Sequence, residues 1–140
     1  MKIENSELIN LLFATMKIIK KNLKCQDGRG FSFVQIRTLH SIEIKSNPTM
    51  KEIAAELGVT PPSATAFIDQ FVLHGLIKRI YDKADRRTVK LSLTNKGRAY
   101  LDEHYKEMAK KMENLLSHLN KTQINNFKEI LEILSKKSKK

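Results

Sequence analysis

The chain has 140 residues, the length of one domain, and its 41% hydrophobic content is enough for a real core. A net charge of +11 at pH 7 and a pI near 9.8 point to a polyanionic partner; subtracting the four lysines at 136, 137, 139 and 140 from +11 leaves +7, so the body of the chain is basic as well. One cysteine excludes an intrachain disulfide, no run approaches the roughly 18 apolar residues of a membrane span, and Lys2 and Glu4 flank no signal-like apolar run, so a cytoplasmic protein without a membrane partner is expected.

From Ser6 to about Lys24, Leu8, Leu11, Leu12, Thr15, Ile18, Ile19 and Leu23 recur at helical intervals, while Ile9 and Phe13 lie off that stripe. A helix apolar on more than one side has more than one neighbour to bury against, and a second subunit is one candidate. Residues 25–30 read as a loop, with Cys25 at its start. Ser32 and Gln35 form a capping box that opens a helix from Phe33 to about Ile44, with Val34, Ile36, Leu39, Ile42 and Ile44 on its expected buried side and His40 at its edge. Residues 46–48 turn the chain into the next helix.

Thr49 and Glu52 form another capping box, and Ile53, Ala54 and Leu57 share one face of a helix ending before Gly58. Thr60 caps the following helix with Pro61 at its first position, where the missing N–H costs nothing. Ala64, Phe67, Ile68, Phe71 and Val72 are its apolar stripe, and Gly75 stops it. Helix, glycine-containing turn and helix together make a helix-turn-helix. Two strands follow, about Leu76–Tyr81 and Thr88–Leu93, the second alternating strictly between apolar and polar residues. Their connection, residues 82–87, sets Lys83, Arg86 and Arg87 against Asp82 and Asp85. Two adjacent arginines on a ribbon tip suit a minor groove, where negative potential is focused; a solvated hairpin is the plainer reading.

Thr94 or Asn95 caps a long helix to about His118, whose Leu101, Tyr105, Met108, Met112, Leu115 and Leu119 step by fours and threes as a heptad seam. Asn120 and Gln123 start a last amphipathic helix carrying Ile124, Phe127, Ile130, Leu131 and Leu134. So much apolar surface on the terminal helices favours pairing of two chains over burial within one. Catalysis is not expected: the four histidines are scattered, no zinc-ligand spacing occurs, and the five glycines form no phosphate loop, so neither metal nor cofactor is implied.

The stretches TMKEIAAELGVT (49–60), HGLIKR (74–79), DKADRR (82–87) and VKLSLTNKG (89–97) resemble the MarR family of winged-helix transcriptional regulators. The arginine-tipped wing followed by Leu93-Thr94-x-x-Gly97 is the most specific part. The resemblance implies a mainly α fold with a small β-wing: a winged helix-turn-helix lobe at 31–93, dimerisation helices at 1–24 and 95–136, and a basic tail at 137–140. It also implies that the second helix of the motif enters the major groove, and that Arg86 and Arg87 reach the minor groove with Asp85 orienting one of them through an ion pair. Base contacts are expected from Ser63, Thr65 and Gln70. Phosphate contacts are expected from Lys51, Lys78, Arg79 and Lys90 and from the helix starts at Thr49 and Thr60. One departure from the family pattern is a recognition helix without basic residues on its exposed face, where Ala66 and Gln70 stand.

The family further implies a homodimeric repressor on a pseudo-palindromic double-stranded DNA operator, released by a small aromatic or phenolic effector. Phe13, Met16, Phe31, His40 and Phe71 are candidates to line its pocket, with core packing the plainer role for each. Some relatives sense peroxide through a cysteine; for Cys25 an incidental thiol is preferred. Two alternatives stay open: a non-specific architectural DNA binder of the same fold, and a winged-helix protein-interaction module.

Overall fold

The computed structural model describes residues 5–23 and 31–137. The expected loop with Cys25, and most of the basic tail, lie outside the described residues. In chain order the described elements are α1 (Asn5–Asn22), α2 (Phe33–Lys45), α3 (Met50–Leu57), α4 (Pro61–Leu73), β1 (Ile77–Tyr81), β2 (Val89–Leu93), α5 (Asn95–Leu116) and α6 (Lys121–Lys137). The fold is thus mainly α with a two-stranded antiparallel wing. The chain divides into two compact units, Lys24–Lys106 and a second formed by Met1–Leu23 with Glu107–Lys140.

In the first unit, local chemistry sets the helix boundaries. Ser32 accepts from the Gln35 N–H at 3.3 Å while Gln35 Oε1 accepts from the Ser32 N–H at 2.8 Å, closing the box that opens α2. Ile36, Leu39 and Ile42 are buried on one side of this helix. Ile44, expected with them, is 66% exposed: two residues beyond Ile42 it is rotated about 200° around the helix, onto the opposite face. Ser46 and Asn47, with φ of 52° and 65°, then turn the chain into Pro48 and α3.

Ile53 and Ala54 of α3, and Ala64, Ile68 and Phe71 of α4, meet the core of this unit. At its centre the Phe31 ring sits edge-on to Phe71, His74 and Tyr100 at centroid distances of 5.0, 5.3 and 5.9 Å. The ribbon runs in register from Ile77 opposite Leu93 to Tyr81 opposite Val89. Leu91 and Leu93 point into the core, and Ser92 between them does not. A connection not expected from the sequence joins the ribbon to the turn before α3: the Leu91 N–H donates to the Pro48 carbonyl at 2.8 Å, and Thr49 bridges to Lys90.

Thr94, rather than Asn95, caps α5. Its Oγ1 accepts from the Gly97 N–H at 3.0 Å and donates to the Gly75 carbonyl at 2.6 Å, while its N–H donates to the Leu76 carbonyl at 3.0 Å. Gly97 packs directly on the Leu76 peptide, with no room for a Cβ. Gly97, Tyr100, Leu101 and His104 are buried, all in the first half of α5.

In the second unit, Asn120 and Gln123 exchange hydrogen bonds of 2.9 Å to open α6. Met108, Met112 and Leu115 of the α5 seam are half-buried; Leu119 lies past the end of the helix. Leu8, Leu11, Leu12, Phe13 and Ile18 of α1, and Ile130, Leu131, Ile133 and Leu134 of α6, are all half or more exposed. The stripes read from the sequence exist, but nothing among the described residues covers them.

Candidate nucleic-acid interface

The helix-turn-helix and ribbon lie within the first unit, and each predicted DNA-facing residue there is described. Thr49 is fully used as a cap: its N–H and Oγ1 both donate to Glu52 Oε2, at 2.7 and 3.0 Å, and Oγ1 accepts from the Glu52 N–H at 3.2 Å. These bonds hold the exposed Glu52 carboxyl below the usual carboxylate range. Thr60 caps α4 in the same manner, accepting from the Ser63 N–H at 3.4 Å and sharing a 3.0 Å hydroxyl contact with Ser63 Oγ. Thr65 donates its hydroxyl back to the Pro61 carbonyl at 3.0 Å. Of the three residues expected to read bases, only Gln70 is exposed with an uncommitted polar group; the Ser63 and Thr65 hydroxyls carry internal bonds.

The four cations expected on phosphates divide in two. Lys51 and Lys78 are exposed and have no ion-pair partner among the described residues. Arg79 pairs with Asp69, locking β1 to the exposed face of α4, and Lys90 Nζ lies 3.0 Å from Asp82 Oδ2 across the ribbon. Asp69 stands on the exposed side of α4 with no role expected from sequence, because its partner is ten positions away and on another element.

The ribbon tip is built differently from expectation. Asp85 makes no ion pair with an arginine: Oδ1 accepts from the Arg87 backbone N–H at 2.9 Å and Oδ2 from the Thr88 hydroxyl at 3.4 Å, so it shapes the turn. Asp82 does the same for the Ala84 N–H at 2.8 Å, and that bond, with Lys90 behind it, lowers its pKa. Both acids are therefore occupied, and Lys83, Arg86 and Arg87 stand exposed without carboxylate partners among the described residues. Tyr81, Asp82, Lys83 and Arg86 line a shallow concavity of about 440 Å³ at this tip. A second, of about 480 Å³ and mainly apolar, lies where α3 meets the start of α4, lined by Ala54, Ala55, Val59, Pro61 and Thr65 with Met50 and Lys51 at its edge.

Behind this face, burial pushes the Glu56 carboxyl up, but the Ser41 hydroxyl at 2.8 Å and Lys45 at 3.0 Å outweigh it and leave the pKa lowered. That triad fastens α2 to α3. Of the residues expected to line an effector pocket, Phe31 and Phe71 are core residues packed on each other. His40 meets the Tyr105 ring edge-on at 5.5 Å, whereas Phe13 and Met16 are 65% and 55% exposed on α1. Among the described residues no group of three acidic, histidine or cysteine side chains is placed to hold a metal, and no helix is long and apolar enough to cross a membrane.

The MarR family model matches residues 31–89, the stretch that runs from Phe31 through the ribbon tip. Over that stretch the chain is similar to the MarR family. It is 31% identical over 81 residues to the HTH-type transcriptional repressor MdtR of Bacillus subtilis (strain 168), a match covering 58% of this chain and 52% of MdtR, so the chain spans about half the length of that relative. Its fold is similar to that of the transcriptional repressor CouR bound to a 23-mer DNA duplex (TM-score 0.77, 27% identity, 94% of this chain and 95% of that one). It is also similar to the YusO protein from Bacillus subtilis (TM-score 0.75, 25% identity, 95% and 94% covered).

Proposed function

We propose that this chain is a MarR-type, cytoplasmic, sequence-specific regulator of transcription, a repressor, that binds double-stranded DNA as a homodimer on a pseudo-palindromic operator. The observation that carries the reading is the ribbon tip: both of its acids are spent on the turn, leaving three cations for the backbone and minor groove, and the Asp69–Arg79 pair fixes that ribbon to α4. The resemblance to MdtR, a repressor by name, and to CouR, a repressor seen on a duplex, supports it. The uncovered apolar faces of α1 and α6 support the homodimer. Two copies on one face of a duplex place their α4 helices about 34–36 Å apart, one turn of DNA. Release by a small aromatic or phenolic effector belongs to the same proposal.

A non-specific mode of binding has one observation in its favour, the absence of cations on α4. Sedimentation equilibrium and footprinting of the DNA upstream of the chain's own coding sequence separate the readings. A dimer protecting two patches one turn apart supports the regulator; a uniformly protected or unprotected duplex removes it. The same footprint, repeated with a panel of aromatic carboxylates and phenols, tests the effector: protection unchanged by every member removes that part alone.

A further inference from the structure

The exposed face of α4 is unlike a guanine-reading surface. Pro62, Thr65, Ala66, Asp69, Gln70 and Leu73 are all exposed, and at about 100° per residue they fall within an arc of about 140°, opposite the buried Ala64, Ile68 and Phe71. No residue of this face is a lysine or arginine, so the bidentate contact to guanine O6 and N7 has no donor here. Asp69, able to accept from cytosine N4, is held by Arg79. Thr65 has its hydroxyl on the Pro61 carbonyl. Besides the oxygens of Thr65 and Asp69, which are left as acceptors, this face presents the Gln70 amide and a set of carbons: the Pro62 ring, the Thr65 methyl, Ala66 Cβ and the Leu73 side chain. The apolar character continues into the concavity beside Thr65, walled by Ala55, Val59 and Pro61.

In the major groove of a duplex only one base offers an apolar group, thymine with its 5-methyl, and only adenine matches the donor and acceptor of a glutamine amide. We infer that α4 reads A·T pairs, with Thr65 and Ala66 packed on thymine methyl groups and Gln70 on an adjacent adenine, so that methyl burial rather than charge supplies the specificity of this helix. The inference rests on the proposed placement of α4 in the major groove. The arginine tip acts in the same direction, since A·T tracts have the narrow minor groove that draws arginine in.

The test begins with selection of bound duplexes from a randomised pool by the full-length chain. The expected product is a site with A·T pairs beneath each α4. Each thymine there is then replaced by deoxyuridine, which removes the methyl and keeps every hydrogen-bonding group. Affinity is expected to fall about fourfold for each buried methyl, the effect of burying one carbon. In the Ala66→Ser variant the deoxyuridine penalty is expected to shrink while contacts from Arg86 and Arg87 persist. A selected site with G·C pairs under α4, or a site whose binding ignores the methyl, overturns the inference and leaves sequence-specific binding standing. Recovery of no preferred sequence overturns both.

Discussion

Replacing Gly97 by alanine is expected to damage the winged lobe from a buried position at the start of α5. A Cβ on Gly97 lies well inside contact distance of the Leu76 carbonyl oxygen and only 3.0 Å from its carbonyl carbon. Both partners are backbone, so no side-chain rotation relieves the overlap, and the start of α5 has to move away from Leu76. That movement strains the Thr94 N–H bond to Leu76 and the Thr94 hydroxyl bond to Gly75, at 3.0 and 2.6 Å, each contributing about 1 kcal/mol. Overpacking adds about 1–3 kcal/mol, and the better helix propensity of alanine returns about 1 kcal/mol. The net loss is about 2–4 kcal/mol, which lowers a urea midpoint by about 1–2 M at a slope of about 2 kcal/mol per molar. Far-UV circular dichroism in urea measures it, with Gly58→Ala as control. Gly58, unlike Gly97, has positive φ, 62°, and nothing within 4 Å of an added Cβ, so its substitution is expected to cost only the left-handed backbone strain of about 1–2 kcal/mol. An unchanged or raised midpoint for Gly97→Ala, or a larger loss for Gly58→Ala, refutes the close packing of α5 on Leu76.

Arg87→Ala is expected to weaken specific DNA binding by about 1–3 kcal/mol with the unfolding midpoint unchanged; fluorescence anisotropy and a melting curve measure the two. Phe71→Ala removes a side chain with 0% exposure from the centre of the lobe and is expected to cost about 3–5 kcal/mol in urea unfolding. Asp69→Asn frees Arg79 and removes a negative charge from α4, so DNA affinity at low salt is expected to rise and its salt dependence to steepen; lower affinity contradicts that role. The carboxyls of Glu52, Glu56 and Asp82 all have lowered pKa values in the folded chain. Their contribution is complete above the ordinary carboxylate pKa of about 4 and is lost as pH falls through the lower folded values. Stability is therefore expected to drop as pH falls below about 4, and less so in Glu56→Gln.

Helix starts were legible because a capping box is a local object: Ser32 with Gln35, Thr49 with Glu52 and Asn120 with Gln123 each meet three residues apart. The strict alternation of β2 was legible for the same reason. Periodicity marked the faces of α1 and α6 but not what covers them, since an apolar stripe looks the same whether its partner lies in its own chain or in another. Ile44 is apolar yet exposed, because its angle around α2 and not its type sets its burial. Partners distant in sequence were not legible: Asp69 with Arg79, Ser41 with Glu56, and Leu91 with Pro48 depend on how elements are brought together. Asp85 was assigned to an arginine by family resemblance, whereas its carboxylate meets the nearer Arg87 N–H and Thr88 hydroxyl. The Leu93-Thr94-x-x-Gly97 motif was read as a family mark, and its physical meaning lies in Thr94 capping α5 against Gly75 and in Gly97 lying on Leu76.

The central claim, that α4 and the arginine-tipped ribbon together read a particular duplex, is tested most directly by fluorescence anisotropy of the full chain across a salt series. The two probes are the duplex upstream of its own coding sequence and a scrambled duplex of the same composition. The expected result is tighter binding to the native duplex that persists near 0.15 M salt, with both affinities falling as salt rises. Equal affinities with a single common salt slope contradict it.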